Sequence, residues 1–135
     1  MAHVLIVDDD RAIREMLICA LQCEGYETQT LADGSQVLDT LAAMPDHSVA
    51  LVDLMMPQVD GWAVFHALEA RPDLLTRHAV VAMSAALMDR DECPAGARAV
   101  LRKPFDLERL YRLVAELSTP LPATAAKADI AVAAQ

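Results

Sequence analysis

Short apolar runs alternate with longer stretches whose apolar residues recur every three or four positions, five times along the chain. His3-Val4-Leu5-Ile6-Val7, Val49-Ala50-Leu51-Val52, Ala79 to Met83 and Ala99-Val100-Leu101 are the unbroken runs, and Tyr26 to Leu31 alternates instead. An unbroken run suits a strand buried on both faces, as in a parallel sheet. The stretches between carry helix spacing. Ile13, Met16, Leu17, Ala20 and Leu21 mark a helix over Arg11 to Cys23, capped by Asp9 or Asp10 and ended by Gly25. Val37, Leu38, Leu41 and Ala42 mark a second over Ser35 to Met44, and Trp62, Val64, Phe65 and Leu68 a third over Trp62 to Ala70. A short fourth is expected from Ala86 to Glu92, broken by Pro94 and Gly96. Leu107, Leu110, Leu113, Val114 and Leu117 mark the last, over Leu107 to Leu117. Such alternation demands a parallel sheet with right-handed crossovers and helices on both faces. The expected fold is α/β, a doubly wound five-stranded parallel sheet.

In such a sheet the carboxyl ends of the strands lie along one edge, where ligands bind. Those ends are polar here: Asp8, Asp9 and Asp10 after the first strand, Asp53 after the third, Ser84 after the fourth, Lys103 after the fifth. Asp53 closes the run in SVALVDLMMPQVDG, residues 48–61, and Pro57 and Gly61 mark a loop behind it. At that edge Asp53 is a candidate nucleophile or metal ligand, yet alone it reads equally as a residue that only ends a strand or caps a turn, because Asp is common in turns. Together, carboxylates from strands one and three would converge on a hard cation, and Mg²⁺ prefers a few carboxylate oxygens. A lysine and a hydroxyl beside them suit a transferred phosphoryl group. Asp10 reads better as a helix cap than as a ligand.

Composition narrows the function classes. A net charge of −9 on 135 residues disfavours non-specific nucleic-acid binding and attachment to anionic membrane surfaces. Five aromatic residues offer little base-stacking platform. Cys19, Cys23 and Cys93 form no CxxC and are expected to be buried or half-buried reduced thiols. His3, His47, His66 and His78 lack ligand spacing. No leader or membrane-spanning run is visible, so a cytoplasmic location is expected. One domain is expected over residues 1–118. Residues 119–135, rich in Ala with Pro120 and Pro122, are expected to be disordered or a linker.

The whole of residues 3 to 117 resembles the receiver domain of two-component response regulators. The resemblance rests on VDDD at 7–10, on Asp53 followed by Met56-Pro57 and Asp60-Gly61, on Ser84-Ala85, and on Lys103-Pro104-Phe105. It implies a flavodoxin-like (βα)5 fold with strand order 2-1-3-4-5. It also implies roles. Asp53 would be the phosphoacceptor, phosphorylated from the phosphohistidine of a histidine kinase or phosphotransfer protein. Asp9 would ligate Mg²⁺ directly and Asp8 through water, with Asp53 and the backbone carbonyl of Met55 completing the set; Mn²⁺ can substitute. Ser84, Ala85 and Lys103 would bind the phosphoryl group, with a cis bond before Pro104 aiming Lys103 inward. Two carboxylates besides Asp53 give three negative charges, balanced by a divalent cation and Lys103. No direct contact with nucleic acid or membrane is implied, and the chain would be a monomer or a weak phosphorylation-dependent dimer with an unidentified effector.

The departures from the family pattern are specific. Receivers often carry an aromatic three residues before the Lys; here it is Val100, which puts a coupled Ser84–aromatic switch in doubt. The short fourth helix does the same for the usual partner surface, and Glu108, Arg109 and Arg112 read as a solvated face. Met55 and Ala86 occupy the positions that set dephosphorylation rate in the family, and neither can hold a water by an ordinary hydrogen bond. Two rival readings follow. One is a pseudo-receiver that binds partners constitutively. The other is an Mg²⁺-dependent phosphatase with an aspartyl nucleophile, disfavoured because Met55 stands where such enzymes place a second Asp. The main reading is of a signalling domain that is not an enzyme in the ordinary sense, though it catalyses its own phosphorylation and slow dephosphorylation.

Overall fold

Five strands, β1 (His3–Val7), β2 (Glu27–Leu31), β3 (Val49–Asp53), β4 (Ala79–Ser84) and β5 (Ala99–Arg102), form one parallel sheet in the order β2-β1-β3-β4-β5. The computed structural model describes residues 2–56, 58–85 and 93–118. Among the described residues five helices accompany the strands: α1 (Arg11–Cys23), α2 (Val37–Ala43), α3 (Gly61–Glu69), α4 (Pro72–Arg77) and, after the last strand, α5 (Leu107–Ser118). Among the described residues no helix is long and apolar enough to cross a membrane.

The sheet is buried from both sides, so the strand pleat sorts alternate residues into two cores. Leu5, Val7, Ala50, Val52, Val80 and Ala82 face α2, α3 and α4, where Leu41, Val64, Phe65, Leu68 and Leu74 meet them. Val4, Ile6, Val49, Leu51, Val81 and Met83 face α1 and α5, meeting Leu17, Leu21, Leu110 and Val114. Every residue of β1 after His3, and all of β3 and β4, is buried. Each large apolar side chain so buried contributes about 1.5–3 kcal/mol.

Local signals set the helix ends. Asp10, not Asp9, caps α1: its Oδ1 accepts from the amides of Ala12 and Ile13. At the other end Gly25 has φ +91°, and the amides of Gly25 and Tyr26 donate to Gln22 and Leu21 carbonyls. That is a Schellman closure, which requires a left-handed residue. Asp60 caps α3 through the Ala63 amide.

Some expectations fail for physical reasons. Helix α4 was not legible; it is six residues long, starts on Pro72 and buries only Leu74. The three cysteines are free and exposed rather than buried, because Cys19 and Cys23 lie on the outer face of α1. Met16 and Leu107 are each 41% exposed, and Ala42 is exposed. Each sits at the margin of an apolar stripe wider than the contact it makes. Helix α2 begins at Val37, since Gln36 gives no side-chain cap. The helix expected from Ala86 to Glu92 and the tail expected at 119–135 lie outside the described residues.

Candidate functional site

The carboxyl ends of β1 and β3 are adjacent because those strands pair directly, Val7 opposite Val52. The residues that follow this pair, Asp8, fully buried, and Asp53, 4% exposed, are therefore neighbours. Asp9 follows on the exposed side. One oxygen from each of Asp8, Asp9 and Asp53 lies within 4.8 Å of the others. Lys103, one residue past β5, reaches across from the far edge. Its Nζ donates to Asp8 Oδ2 at 2.7 Å and to Asp53 Oδ2 at 3.2 Å. The Lys103–Pro104 bond is cis.

Asp8 is the most constrained of these residues. Its amide donates to the Leu31 carbonyl, its Oδ1 accepts from the Asp10 amide, and its Oδ2 accepts from Lys103. Its carbonyl accepts from Arg14 Nη1 at 2.8 Å. Asp53 Oδ1 accepts from the Met55 amide at 3.1 Å. Asp53 is thus both a turn cap and an open-edge carboxylate, so the two sequence readings are compatible.

Burial pushes the Asp53 carboxyl above the ordinary carboxylate range, and Asp8 acts in the same direction; the Met55 amide and Lys103 oppose them. Burial would lower the Lys103 ammonium, but the hydrogen bond to Asp8 and the charges of Asp53 and Asp8 leave it above its usual value. The site is a compact cluster in which one ammonium is shared by two carboxylates.

The loop that follows Asp53 is held by close packing. Gly61 lies so near the Asp53 carbonyl that an added Cβ would overlap it, and Gly61 N–H donates to the Leu54 carbonyl. Its φ is not positive, so contact rather than backbone freedom requires glycine here. Gly34 N–H donates to the Val59 carbonyl at 3.0 Å, and a Cβ there would meet Val64 Cγ2 at 2.5 Å. The loop behind Asp53 is therefore clamped between the β2–α2 corner and α3.

Ser84 ends β4, one residue beyond the Asp53–Met83 pair, and is buried; its carbonyl accepts from Lys103 N–H at 2.8 Å. Ala85 is half-buried beside it. Val100 pairs with Ala82 and packs against the core on the α2–α3–α4 side of the sheet. Met55 and Met56 part company: Met56 is in the core, while Met55 is 59% exposed. Ala86 lies outside the described residues. Sequence reading missed Arg14. Its signal was faint: a helical side chain leans toward its own N-terminus, and four residues into α1 that direction leads to the acidic turn.

Three carboxylates supply only hard oxygen donors and three negative charges, the donor chemistry of a hard divalent cation. The residues present fit Mg²⁺.

The family model for the response regulator receiver domain matches residues 4–115. The response regulator MprA of Mycobacterium tuberculosis (strain H37Rv) is 39% identical over 132 residues, 93% of this chain and 54% of that protein. MprA of Mycobacterium avium is 41% identical over 114 residues, covering 80% of this chain and 47% of that protein. The chain spans about half the length of the curated relatives it matches. A response regulator structure from Chloroflexus aurantiacus superposes with a TM-score of 0.75 at 28% identity, over 86% of this chain and 96% of that one. The response regulator TrrA of Thermotoga maritima, solved in complex with Mg²⁺-BeF, gives 0.73 at 27% identity, over 87% and 99%.

Proposed function

The chain belongs to the receiver-domain family of two-component response regulators, and from that premise we propose that it is a phosphorylation switch whose acceptor is Asp53. The observation that carries this reading is the sharing of Lys103 between Asp8 and Asp53, with a third carboxylate within 4.8 Å. The phosphoryl donor is the phosphohistidine of a histidine kinase or phosphotransfer protein. An Asp53 oxygen attacks phosphorus in line, the P–N bond breaks, and the imidazole leaves with its electron pair and takes up a proton. Met55 N–H on Oδ1 and Lys103 on Oδ2 fix the carboxylate for that attack, and positioning is a large part of phosphoryl-transfer catalysis. Asp8, Asp9, Asp53 and the Met55 carbonyl are the groups that would hold Mg²⁺ or Mn²⁺, which supplies charge neutralisation at the transferring group. Ser84, the Ala85 amide and Lys103 receive the new phosphoryl oxygens.

Phosphorylation turns one negative charge into about two. One extra charge beside Lys103 is worth about 4 kcal/mol per contact at an effective dielectric near 20. That is enough to draw the Ser84 hydroxyl and its loop to a new position, and such a population shift is what a partner reads. Val100 is β-branched and stiff at χ1, so it stays nearly still as the loop moves.

The test is incubation with acetyl phosphate and Mg²⁺, followed by intact mass and by assay of unrelated phosphoesters. A gain of one phosphoryl group without phosphoester turnover is the expected result. No gain leaves a constitutive binding domain; turnover leaves a phosphatase.

A further inference from the structure

Building on the reading of the acidic cluster as a metal-assisted acceptor site, we infer that Arg14 is a positioning residue that sets the metal affinity of the site through the Asp8–Asp9 peptide. Asp8 has four polar groups, and each is engaged. Two partners, the Leu31 carbonyl and the Asp10 amide, are backbone. The third, Lys103, belongs to the site itself. Among the described residues Arg14 is the remaining side chain that holds Asp8, by a bond of 2.8 Å from Nη1 to its carbonyl oxygen.

That carbonyl is half of the peptide joining Asp8 to Asp9. Its direction fixes the plane from which the Asp9 side chain departs. Asp9 is exposed, so packing does not fix it. The Arg14 bond therefore reaches the one exposed carboxylate of the cluster through the backbone. Arg14 is also seated to do so. It lies in the first turn of α1, half-buried, and its own amide donates to the Asp10 carbonyl, so the helix that Asp10 caps carries the guanidinium to Asp8.

The inference has a sign that charge alone does not give. Arg14 is a cation near three carboxylates. By Coulomb's law its removal should tighten cation binding. If its role is to hold the peptide, removal should weaken it, as loss of outer hydrogen-bond partners does in metal sites.

The experiment is a Mg²⁺ titration followed by backbone amide chemical shifts, on wild type and on Arg14→Gln, Arg14→Lys and Arg11→Gln. Arg14→Gln should raise the Mg²⁺ dissociation constant roughly tenfold. Arg14→Lys, which keeps a donor, should recover part of the loss. Arg11→Gln removes the same charge one turn away, where the side chain bonds Glu15, and should not weaken binding. Arg14→Met keeps the aliphatic stem and gives the same readout should the glutamine variant fail to fold. A lowered melting temperature in EDTA with unchanged Mg²⁺ affinity would mean a purely structural arginine and would overturn the inference, as would tighter binding. Wild-type protein that takes up no Mg²⁺ at these carboxylates overturns the site reading and this inference together. Wild-type binding with an unaltered Arg14→Gln affinity overturns this inference alone.

Discussion

Met55 serves Asp53 through its backbone, its amide holding Asp53 Oδ1, while its side chain is 59% exposed. Hydrolysis of an aspartyl phosphate needs a water held in line behind phosphorus, and a thioether is a poor partner for it. On the proposed function, a phosphate on Asp53 should therefore be long-lived, and Met55→Asn should shorten its lifetime several-fold, followed as loss of label after the donor is removed. A slower loss in the variant would show that Met55 does not govern access. Three residues on, Gln58 has φ +64°, a left-handed conformation that costs a residue with a Cβ about 1 kcal/mol. Gln58 is exposed, so Gln58→Gly should raise the melting temperature by a few degrees, less the entropy that glycine adds to the unfolded chain. A lower melting temperature would mean that the side chain makes a contact worth more than the strain. At this scale the sequence was legible where a residue's chemistry also sets its contacts: Asp8, Asp53 and Lys103, which the structure brings together, and the Asp10 cap. It was illegible where the role is a contact with backbone. Gly61 is required by the nearness of the Asp53 carbonyl, and Arg14 by the Asp8 carbonyl, and neither partner has a side-chain signature.

Helix α4 shows how an element escapes a pattern search and still matters. Six residues with one buried apolar position give no periodicity. Polar groups add to the anchor that Leu74 gives. Arg77 bonds Asp46 at 2.6 Å and the Met44 carbonyl at 2.9 Å, and His78 Nε2 meets the Leu41 carbonyl at 2.7 Å. These bonds fasten α4 to the end of α2. His78 is 2% exposed, and its Nδ1 is buried with no hydrogen-bond partner among the described residues. Burial holds the imidazole below its usual value; Arg77 and His47 act in the same direction, while the Leu41 carbonyl and Asp46 oppose them. Above about pH 6.5 folded and unfolded forms are both neutral at this residue, so stability does not depend on it. Below that, the unfolded chain takes up a proton that folded His78 refuses, and stability falls as pH drops until the folded value is passed. Thermal melts from about pH 7.5 to about pH 5.5 should show this decline in wild type and a flatter profile in His78→Gln. An equal slope in both would assign the decline to other groups. The long helices were legible because α1 and α5 carry a sustained apolar stripe. Their margins were not, since Met16 and Leu107 extend the stripe past the surface it covers.

The molecule as a whole is arranged so that two cores hold one sheet edge still. The unbroken apolar runs at β1, β3 and β4 made that arrangement legible, because only a sheet covered on both faces buries every residue of a strand. The edge strand β2 was less distinct, since its outward residues are polar and its boundary moved from Tyr26 to Glu27. Three carboxylates at the carboxyl ends of β1 and β3 repel one another, and Lys103 is shared between two of them. A cation bound there should stabilise the fold by mass action. Mg²⁺ should raise the melting temperature of wild type but not of Asp9→Ala; an equal rise in both would place the metal elsewhere. The most direct test of the central claim is to locate the phosphoryl group itself. Wild-type protein and Asp53→Asn are exposed to acetyl phosphate with Mg²⁺, reduced with borohydride to convert any acyl phosphate to the alcohol, and mapped by peptide mass. The expected result is homoserine at position 53 in wild type and no reduced aspartate in the variant. Label at Asp8, Asp9 or Ser84, or full labelling of Asp53→Asn, would contradict it.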